Sequence, residues 1–540
     1  MNGAEAMVKC LELEGVEKVF GYPGVAICPF YDAILDAENI STVLIRTEQN
    51  AAHAASGMAR VTGKVGVCAV TSGPGATNLI TGIATAFADS IPLVCITGQV
   101  NSGLIGSDSF QEADIIGATE SFIKYSYLVK NAEDIPRIFK EAFYIANTGR
   151  KGPVLIDVPI DVQNAAVKKF KYPEEVNLRT YKPTVKGHAV QIKKVMAELE
   201  KAKRPVICAG GGVLLSDAQM ELREFAHKYN VPVVHTMMGI GAMQTEDDLN
   251  FGMVGNHGAS YANRAMNEAD MVIMVGARVA DRTVNQPEII TKGKVLVHMD
   301  VDPAEIGKNA GPTIPLVGDA KHIFEDMMQH EIGGDHSLWV QTLYEYKQTM
   351  KERRVPDPDF IDPAAFIRKL SDRMDKDAIY VADVGQNQIW SCRNCIVRDG
   401  SFLTSGGMGT MGYSIPAAMG AKAGQPGRQS IAVCGDGSFQ MSMMELATMR
   451  QYNIPVKILV MANRYLGMVR EYQNATYGAD RYSVVDLSGS PDLSKIAEAY
   501  GMRFIRVSEK ADEDRAIDEF LRGDEAVLME CVINPVDTSK

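Results

Sequence analysis

Short apolar runs rich in β-branched residues alternate with helix-like segments along most of this 540-residue chain. Clear examples are STVLIR, VGVCAV, IPLVCITG, PVLIDVP, RPVICAG, MVIMVGA, VLVHMD, SIAVCGDG, VKILVMAN and AVLMECVI. Strands of this kind separated by helices are typical of parallel sheets joined by right-handed crossovers. The pattern therefore predicts an α/β protein with doubly wound parallel sheets.

Two segments interrupt the alternation. Residues 166–188 are charged, aperiodic and contain proline, and residues 331–363 hold a polar helix followed by a cluster of Pro and Asp. Interpreted as linkers, they divide the chain into domains of about 1–165, 189–330 and 360–540, each of ordinary size.

Composition excludes several classes of function. With 55 Lys+Arg against 67 Asp+Glu, the formal net charge is −12, which argues against sequence-independent nucleic-acid binding. No apolar run approaches the ~18 residues of a membrane span, and residues 1–21 have an amphipathic helix pattern and not that of a signal peptide. Nine scattered cysteines predict reduced, buried thiols and a cytoplasmic protein. Cys392 and Cys395 lack a second such pair, so we interpret them as half-buried helix residues and not as a zinc or redox site.

One candidate site follows two strands in the last third of the chain. The strand SIAVC runs into Gly435-Asp436-Gly437-Ser438, and a second strand, VKILVMA, ends at Asn463. Because the strands of a right-handed strand–helix–strand unit end at the same sheet edge, Asp436 and Asn463 are expected side by side. Their oxygens suit Mg²⁺, the glycines allow close approach of a phosphate, and Ser438 is expected to open the following helix. Alone, GDG would be interpreted as a tight turn; the distant Asn favours the metal site.

A second candidate lies where the strand STVLIR is followed by Glu48 and the helical pattern NAAHAASGMARVTG. The next strand, VGVCAV, leads into a glycine-rich loop, TSGPGATN, over residues 71–78. Taken alone, Glu48 is best interpreted as a solvated or helix-capping acid. The alternative is a buried carboxyl group that holds a proton for a nitrogen heterocycle.

Longer motifs extend over nearly the whole chain. They are GYPGVAICPFYDAI (21–34), TEQNAAHAASGMAR (47–60), SGPGATNLITGIATAFADSIPLVCITGQV (72–100), FQEAD (110–114), GPVLIDVPIDVQ (152–163), GMGTMGYSIPAAMGA (407–421), GDGSFQM (435–441) and NRYLGMVR (463–470). Together they resemble the thiamine-diphosphate-dependent enzymes, and the match is closest to the acetohydroxyacid synthase (acetolactate synthase) catalytic-subunit family. GDG with its distant Asn is typical of the cofactor class, whereas GQV, FQE and GMVR are typical of the synthase branch.

The resemblance implies an N-terminal pyrimidine-binding domain, a central domain and a C-terminal domain that binds diphosphate and Mg²⁺. It implies a transferase that decarboxylates pyruvate on thiamine diphosphate and passes the hydroxyethyl unit to a second 2-ketoacid. The product would be 2-acetolactate, or 2-aceto-2-hydroxybutyrate, for branched-chain amino acid biosynthesis. FAD in the central domain, a homodimer or homotetramer with active sites between subunits, and a small regulatory subunit are further implications. Alternatives are a pyruvate-oxidase-like oxidoreductase, another thiamine-diphosphate carboligase or lyase, and a cofactor-binding homologue without activity.

Residue by residue, the resemblance assigns five groups. The metal group is Asp436, Asn463 and the main-chain carbonyl of Tyr465, and the catalytic group is Glu48, Gln111 and Phe110. The thiamine diphosphate group is Pro74, Asn78, Gly385, Gln386, Asn387, Gly409, Met411, Gly435, Gly437, Ser438, Gly467 and Met468. The FAD group is Gly210, Gly211, Gly212, Thr236, Met237, Met238, Arg278, Asp300 and Asp319, and the substrate group is Val25, Ala26, Arg282 and Tyr472. Judged without the resemblance, Phe110 and Met411 are expected to be ordinary core residues.

Several residues depart from the family pattern near the substrate pocket. Val25 stands where a glycine is usual, Ile160 where a lysine is usual, Asn256 where a methionine is usual and Tyr472 where a tryptophan is usual. The sequence also stops at INPVDTSK, without the family's proline-rich C-terminal arm. None of these changes affects the metal group or the predicted catalytic acid. We therefore expect cofactor activation to be intact, and the acceptor substrate to be the open question.

Overall fold

The computed structural model of the chain describes residues 1–350 and 354–539. Within these residues the strands form three six-stranded sheets, and every pairing between the named strands is parallel. Helices separate most of the consecutive strands along the chain. The predicted α/β class with three doubly wound parallel sheets is confirmed.

The first sheet has the strand order β2-β1-β3-β4-β6-β5. Its strands are β1 (Lys18–Tyr22), β2 (Ser41–Leu44), β3 (Gly66–Val70), β4 (Leu93–Gln99), β5 (Tyr125–Leu128) and β6 (Pro153–Pro159). Its helices are α1 (Gly3–Leu13), α2 (Cys28–Ala33), α3 (Glu48–Thr62), α4 (Pro74–Asp89), α5 (Ile115–Thr119), α6 (Ile135–Asn147) and α7 (Ile160–Asn164). Every residue of β3, β4 and β6 is buried, as expected for strands covered on both faces. The predicted helix over residues 1–21 is wrong beyond Leu13, because Gly15 takes a φ of 68° and the chain then enters β1.

The central sheet has the order β12-β11-β10-β7-β8-β9, so the order reverses between β7 and β10. Its strands are β7 (Pro205–Ala209), β8 (Val233–His235), β9 (Asn250–Met253), β10 (Met271–Val275), β11 (Val295–Asp300) and β12 (Ile314–Val317). Its helices are α8 (Ala189–Lys201), α9 (Gly211–Leu215), α10 (Gln219–Tyr229), α11 (Ser260–Glu268), α12 (Glu288–Thr291), α13 (Ala320–Met327) and α14 (Ser337–Thr349). Trp339 of α14 is buried in this core and donates from Nε1 to the Pro205 carbonyl at 3.1 Å. This helix of the predicted linker 331–363 therefore packs on the central sheet, and the domain boundaries stay a prediction.

The third sheet has the order β14-β13-β15-β16-β18-β17, which repeats the order of the first. Its strands are β13 (Ile379–Ala382), β14 (Ser401–Thr404), β15 (Ser430–Gly435), β16 (Lys457–Ala462), β17 (Arg503–Val507) and β18 (Val527–Val532). Its helices are α15 (Pro363–Arg373), α16 (Gln386–Asn394), α17 (Ser414–Gly424), α18 (Asp436–Ser442), α19 (Glu445–Tyr452), α20 (Gly467–Tyr477), α21 (Leu493–Ala499) and α22 (Glu513–Leu521). The two strands of the predicted metal site are β15 and β16, which are neighbours in this sheet.

Each sheet with its helices is called a unit below, numbered in chain order. The first and third units share one hydrophobic core. Helices α3 and α17 cross so closely that a Cβ on Gly57 would overlap the Ala417 carbonyl. Beside this contact the Ser56 and Tyr413 hydroxyl oxygens lie 3.0 Å apart. Glycine and alanine at the crossing let the two backbones approach, so the apolar faces of both helices are buried by each other.

The nine cysteines are all unpaired, and all except Cys28 are buried. Burial raises the pKa of the Cys208 thiol to about 12, and it also raises the pKa values of Cys392 and Cys395. Those last two residues are fully and not half buried, which corrects the expectation from sequence. Among the described residues, no helix combines the length and the apolar character needed to cross a membrane.

Candidate active site

Asp436 and Asn463 lie at the carboxyl ends of two neighbouring parallel strands, β15 and β16. Each is only 7% exposed. One carboxylate oxygen of Asp436 accepts from the Arg464 N–H at 2.5 Å, and the other accepts from the Gly437 N–H at 3.0 Å. The strand register therefore places the two residues at one edge of the sheet, as the sequence predicts.

Burial raises the pKa of Asp436 to about 6, and its backbone hydrogen bonds offset part of that rise. Asn463 accepts at Oδ1 from the Tyr465 N–H at 3.0 Å, so the chain turns back over the edge at this point. A carboxylate, an amide oxygen and main-chain carbonyls are the hard oxygen donors that Mg²⁺ prefers. Within residues 1–350 and 354–539, no group of three or more His, Cys, Asp or Glu side chains is arranged to hold a metal ion. The donor chemistry at this edge fits Mg²⁺ completed by water and phosphate, not a thiolate or imidazole site.

A cavity lies over this edge of the third sheet. The predicted residues in its wall are Gly385, Gln386, Asn387, Met411, Gly435, Asp436, Gly437, Ser438, Asn463, Tyr465, Gly467 and Met468. Gly409 lies outside the wall, two residues before Met411, with a φ of 71°. Met411 is partly exposed at the cavity, so its interpretation as an ordinary core residue is wrong. The helix expected to open at Ser438 begins at Asp436, and the Ser438 hydroxyl oxygen accepts from the Gly435 N–H at 3.1 Å.

Gln386 connects this edge to the last described residues. Its Oε1 accepts from Asn463 Nδ2 at 3.1 Å, and its Nε2 donates to the Asp537 carbonyl at 2.8 Å. Glu471 accepts both from Gln386 Nε2 at 3.1 Å and from the Ser539 N–H at 3.0 Å. These bonds fix the orientation of the Asn463 side chain, because its amide nitrogen is committed to Gln386.

Glu48 is the first residue of α3 and is half-buried. Its Oε2 accepts from Asn78 Nδ2 at 3.0 Å. A Cβ on Gly75 would lie 3.5 Å from Glu48 Oε1, so the first turn of α4 faces the acid. The predicted loop over 71–78 is therefore wrong after residue 73, because α4 begins at Pro74, where proline is favoured in a first turn.

Val25 and Ala26 lie in a 3₁₀ helix (Val25–Ile27) after β1, and Phe110 and Gln111 lie in a turn after β4. The side chain of Thr71 lies against two glycines, Gly75 and Gly24, the residue before Val25. A Cβ on either glycine would overlap the threonine. Gln111 packs on the turn before α4 and has a φ of 59°. Ala26 is buried, whereas Val25 is 75% exposed and Phe110 is 88% exposed. Phe110 is thus not a core residue, because the loop directs its ring away from the packed sheet.

The described residues of the Glu48 half do not line the cavity at Asp436 of the same chain. All residues that line the cavity at Asp436 fall between 384 and 469, and Glu48, Pro74 and Asn78 are not among them. Large apolar side chains are exposed around both halves; they are Val25, Leu104, Ile105 and Phe110 in the first unit and Met408, Met441, Met444, Val469, Tyr472, Tyr477 and Val484 in the third. Exposed apolar surface of this kind is characteristic of interaction sites.

A second cavity lies at the carboxyl edge of the central sheet, where the strand order reverses. The predicted residues in its wall are Gly211, Gly212, Thr236, Met238, Arg278, Asp300 and Asp319. Gly210 and Met237 are adjacent to wall residues, and Gly210 abuts the Gly276 carbonyl so closely that a Cβ would overlap it. In sheets of this strand order, dinucleotides bind at the point of reversal.

The charges around the central cavity are mixed. Burial raises the pKa of Asp300 to about 6, with the carboxylates of Asp302 and Glu305 adding to the rise and Arg150 opposing it. Arg150 reaches Glu305 at 3.1 Å and donates from Nε to the Ser90 hydroxyl at 3.0 Å. Both cationic and anionic side chains thus face the cavity, which suits a ligand with phosphates and sugar hydroxyls.

The central cavity is also lined by three charged residues of the first unit that sequence reasoning did not single out: Asp89, Arg150 and Lys151. They come from the first unit, far along the chain from the glycine turn, and their residue types alone gave no signal. None of the four predicted substrate residues lines either cavity. Arg282 is exposed on the loop after β10, and Tyr472 is 61% exposed on α20, edge-on to Tyr477.

Three family profiles match the chain. They are the thiamine pyrophosphate enzyme N-terminal TPP binding domain over residues 1–118, the central domain over 192–327 and the C-terminal TPP binding domain over 383–531. A probable acetolactate synthase large subunit from Methanocaldococcus jannaschii is 44% identical over 553 residues, covering 99% of this chain and 93% of the relative. The chain belongs to the acetolactate synthase large-subunit family.

Bacterial members of the acetolactate synthase large-subunit family are similar over the same length. The large subunit from Haemophilus influenzae is 43% identical over 528 residues, covering 96% of this chain and 92% of the relative. The isozyme 3 large subunit from Escherichia coli is 41% identical over 530 residues, with the same two coverages. The two TPP binding profiles include Glu48 and Asp436, respectively, so thiamine diphosphate is the cofactor of the family's two outer domains.

Proposed function

We propose that the protein synthesises acetolactate: it decarboxylates pyruvate on thiamine diphosphate and transfers the hydroxyethyl unit to a second 2-ketoacid, in branched-chain amino acid biosynthesis. The observation that carries the proposal is the buried pair Asp436 and Asn463 at one cavity edge, in a chain 41–44% identical to acetolactate synthase large subunits. The acceptor is pyruvate or 2-ketobutyrate. Val25, Ala26, Arg282 and Tyr472 belong to the proposed acceptor region.

In this proposal the cavity residues of the third unit hold the diphosphate end of the cofactor. Asp436, Asn463 and the Tyr465 carbonyl bind Mg²⁺, which neutralises the diphosphate. Met411 supports the cofactor from the cavity wall, and the Gly409 carbonyl accepts from its amino group. When bound, thiamine diphosphate supplies the electron sink for decarboxylation.

Glu48 holds a proton at the far pyrimidine nitrogen of the cofactor. A half-buried carboxyl group at a helix start is suited to this role, because partial desolvation strengthens its hydrogen bond to a ring nitrogen. Asn78 orients the carboxylate through the bond to Oε2. Gln111 and Phe110 complete the catalytic group, and the exposed Phe110 ring is free to contact a substrate.

The active unit is a homodimer or homotetramer in this proposal, with Glu48 of one copy facing the Asp436 cavity of another. Support comes from the absence of Glu48 from that cavity's wall and from the exposed apolar side chains around both halves. The relatives are named large subunits, which supports a small regulatory subunit as a further partner. A cytoplasmic location stays part of the proposal.

FAD is the proposed ligand of the central cavity. The reversal of strand order at β7 and β10, the close glycine packing there and the mixed charges fit a dinucleotide. Gly211, Gly212 and Thr236 would contact it from the sheet edge, while Arg278 and Asp300 supply charges of both signs.

The test is incubation of the purified protein with thiamine diphosphate, Mg²⁺, FAD and pyruvate, followed by mass analysis of the products. We expect acetolactate, and addition of 2-ketobutyrate should reveal the second product if this acceptor is used. Release of CO₂ without a carbon–carbon bonded product would refute the proposal. Reduction of bound FAD by pyruvate at a catalytic rate would favour the pyruvate-oxidase-like alternative.

A further inference from the structure

The segment of residues 405–411, which follows β14 and carries the proposed cofactor contacts, is held by helix α4 of the first unit. The Gly407 N–H donates to Asp89 Oδ1 at 2.7 Å. One helical turn earlier on α4, the Thr85 hydroxyl lies 2.7 Å from the Thr410 hydroxyl. Because the first turn of the same helix faces Glu48, α4 connects the Glu48 half of one proposed thiamine site to the segment beside the Asp436 half of another.

Asp89 also lines the central cavity, in the same wall as Met238 and Arg278. Its side chain is buried, and its Oδ2 has no hydrogen-bond partner. Burial raises the pKa of this carboxyl group, while the nearby guanidinium groups of Arg60 and Arg278 and the backbone N–H groups of Gly407 and Gly406 oppose the rise. A buried acceptor without a donor costs free energy that a donor on a ligand would recover.

Met238 gives the cavity a second connection to the segment. This side chain lines the cavity, and its sulfur lies against Gly406, where a Cβ would overlap it. A Cβ on Gly407 would come within 2.7 Å of the Ala88 carbonyl, so α4 and Met238 enclose the segment from two sides. Changes in the cavity wall therefore reach residues four and five positions before Met411 by direct packing.

We propose that Asp89 is a positioning residue that couples occupation of the central cavity to thiamine diphosphate binding. A ligand in the central cavity that donates a hydrogen bond to the Asp89 carboxylate, through an N–H or hydroxyl group of a flavin dinucleotide, fixes the carboxylate and thereby the Gly407 contact. The segment is then held in one arrangement, and thiamine diphosphate binds more tightly. By linkage, thiamine diphosphate strengthens binding in the central cavity by the same factor. The inference rests on the proposed function of both cavities.

Calorimetry on the full-length protein freed of cofactors tests the coupling. Thiamine diphosphate with Mg²⁺ is titrated without FAD and with saturating FAD, and we expect FAD to lower the Kd of the wild type about tenfold. Asp89→Asn keeps an oxygen for the Gly407 N–H but replaces the unpaired oxygen with a donor. For this variant we expect the Kd without FAD to be unchanged and the FAD effect to fall below about twofold.

Thr85→Val is the matched control, since it loosens the same segment without touching the central cavity. It should weaken thiamine diphosphate binding equally with and without FAD, leaving the FAD effect intact. Met238→Ala, which removes the other contact to the segment, should reduce the FAD effect and serves if Asp89→Asn does not fold.

Three results would overturn the inference: no FAD binding by the wild type, equal Kd values with and without FAD, or a full FAD effect in Asp89→Asn (in Met238→Ala if Asp89→Asn does not fold). The readout is binding and not turnover. Intact coupling in a protein that forms no acetolactate would therefore count against the proposed function and leave the role of Asp89 standing.

Discussion

Asn78 on α4 donates a 3.0 Å hydrogen bond from Nδ2 to Oε2 of Glu48, the first residue of α3. The bond joins the starts of two consecutive helices at the carboxyl edge of the first sheet. It fixes one oxygen of the carboxylate and leaves Oε1 beside Gly75, where the helix presents no side chain. The acid is therefore oriented before any ligand arrives, which lowers the cost of ordering it on binding.

Replacing Glu48 should affect turnover far more than cofactor binding. Glu48→Gln removes the proton donor to the pyrimidine nitrogen, and we expect kcat for acetolactate to fall by about 10²- to 10⁴-fold. Asn78→Ala removes only the hydrogen bond that orients the Glu48 carboxylate, and we expect kcat to fall by about tenfold. Rates are measured by product analysis and cofactor Kd by calorimetry. Unchanged activity in Glu48→Gln would remove the acid from the mechanism.

Asp436→Asn should weaken Mg²⁺-dependent cofactor binding. The variant keeps the shape of the side chain but loses the charge that binds the cation, so the Kd of thiamine diphosphate with Mg²⁺ should rise by roughly 10- to 100-fold. Asp518→Asn, an exposed carboxylate of the same unit on α22, is the control and should leave the Kd unchanged. Similar Kd values for the wild type and Asp436→Asn would place the cation elsewhere.

Mixing two inactive variants should restore activity if the site lies between copies. In a heterodimer of Glu48→Gln and Asp436→Asn chains, one site carries both substitutions and the other carries neither. After random exchange of subunits, about a quarter of the wild-type activity is expected. The measurement is acetolactate formation by the separate and mixed proteins, with chain exchange verified by mass spectrometry. No recovery after verified exchange would mean that each chain supplies its own Glu48.

Burial of His53 should make the stability of the fold depend on acidity. The imidazole lies on α3 with its ring centroid 5.2 Å from that of Tyr413, and burial lowers its pKa to about 3. At pH values between the unfolded pKa of about 6.5 and this folded pKa, the unfolded chain binds a proton that the native chain does not. Stability from this group is therefore present above pH 6.5 and is lost as the pH falls towards 3.

We expect His53→Gln to have a lower thermal midpoint at neutral pH but a flatter decline between pH 6.5 and 4. The variant takes up one proton fewer on unfolding. The slope of its free energy of unfolding against pH should therefore differ from that of the wild type by about 1.4 kcal/mol per pH unit. His322→Gln, at an exposed site on α13, is the control and should decline as the wild type does. Parallel curves for His53→Gln and the wild type would contradict the assignment.

Local rules predicted those parts of the site that depend on strand order along the chain. Asp436 and Asn463 follow consecutive parallel strands, and a right-handed crossover leaves no choice of edge. The same reasoning misplaced where helices begin and which loop residues are buried. The loop predicted to reach Asn78 ends at Gly73, and the exposed ring of Phe110 contradicts the expectation of a core residue. Helix starts and loop directions depend on packing that no local pattern contains.

The sequence by itself determined the α/β class, the family and the pairing of a carboxylate with an amide at one sheet edge. Hydrophobic periodicity and strand succession along the chain encode these features. Only the tertiary structure decided that Glu48 does not line the cavity at Asp436 of the same chain, and that Asp89 joins the central cavity to the segment before Met411. Asp89 and Gly407 are separated by 318 positions and meet only because three sheets pack together. Contacts between residues so far apart in the sequence depend on shape complementarity between folded units, which no short stretch of sequence specifies.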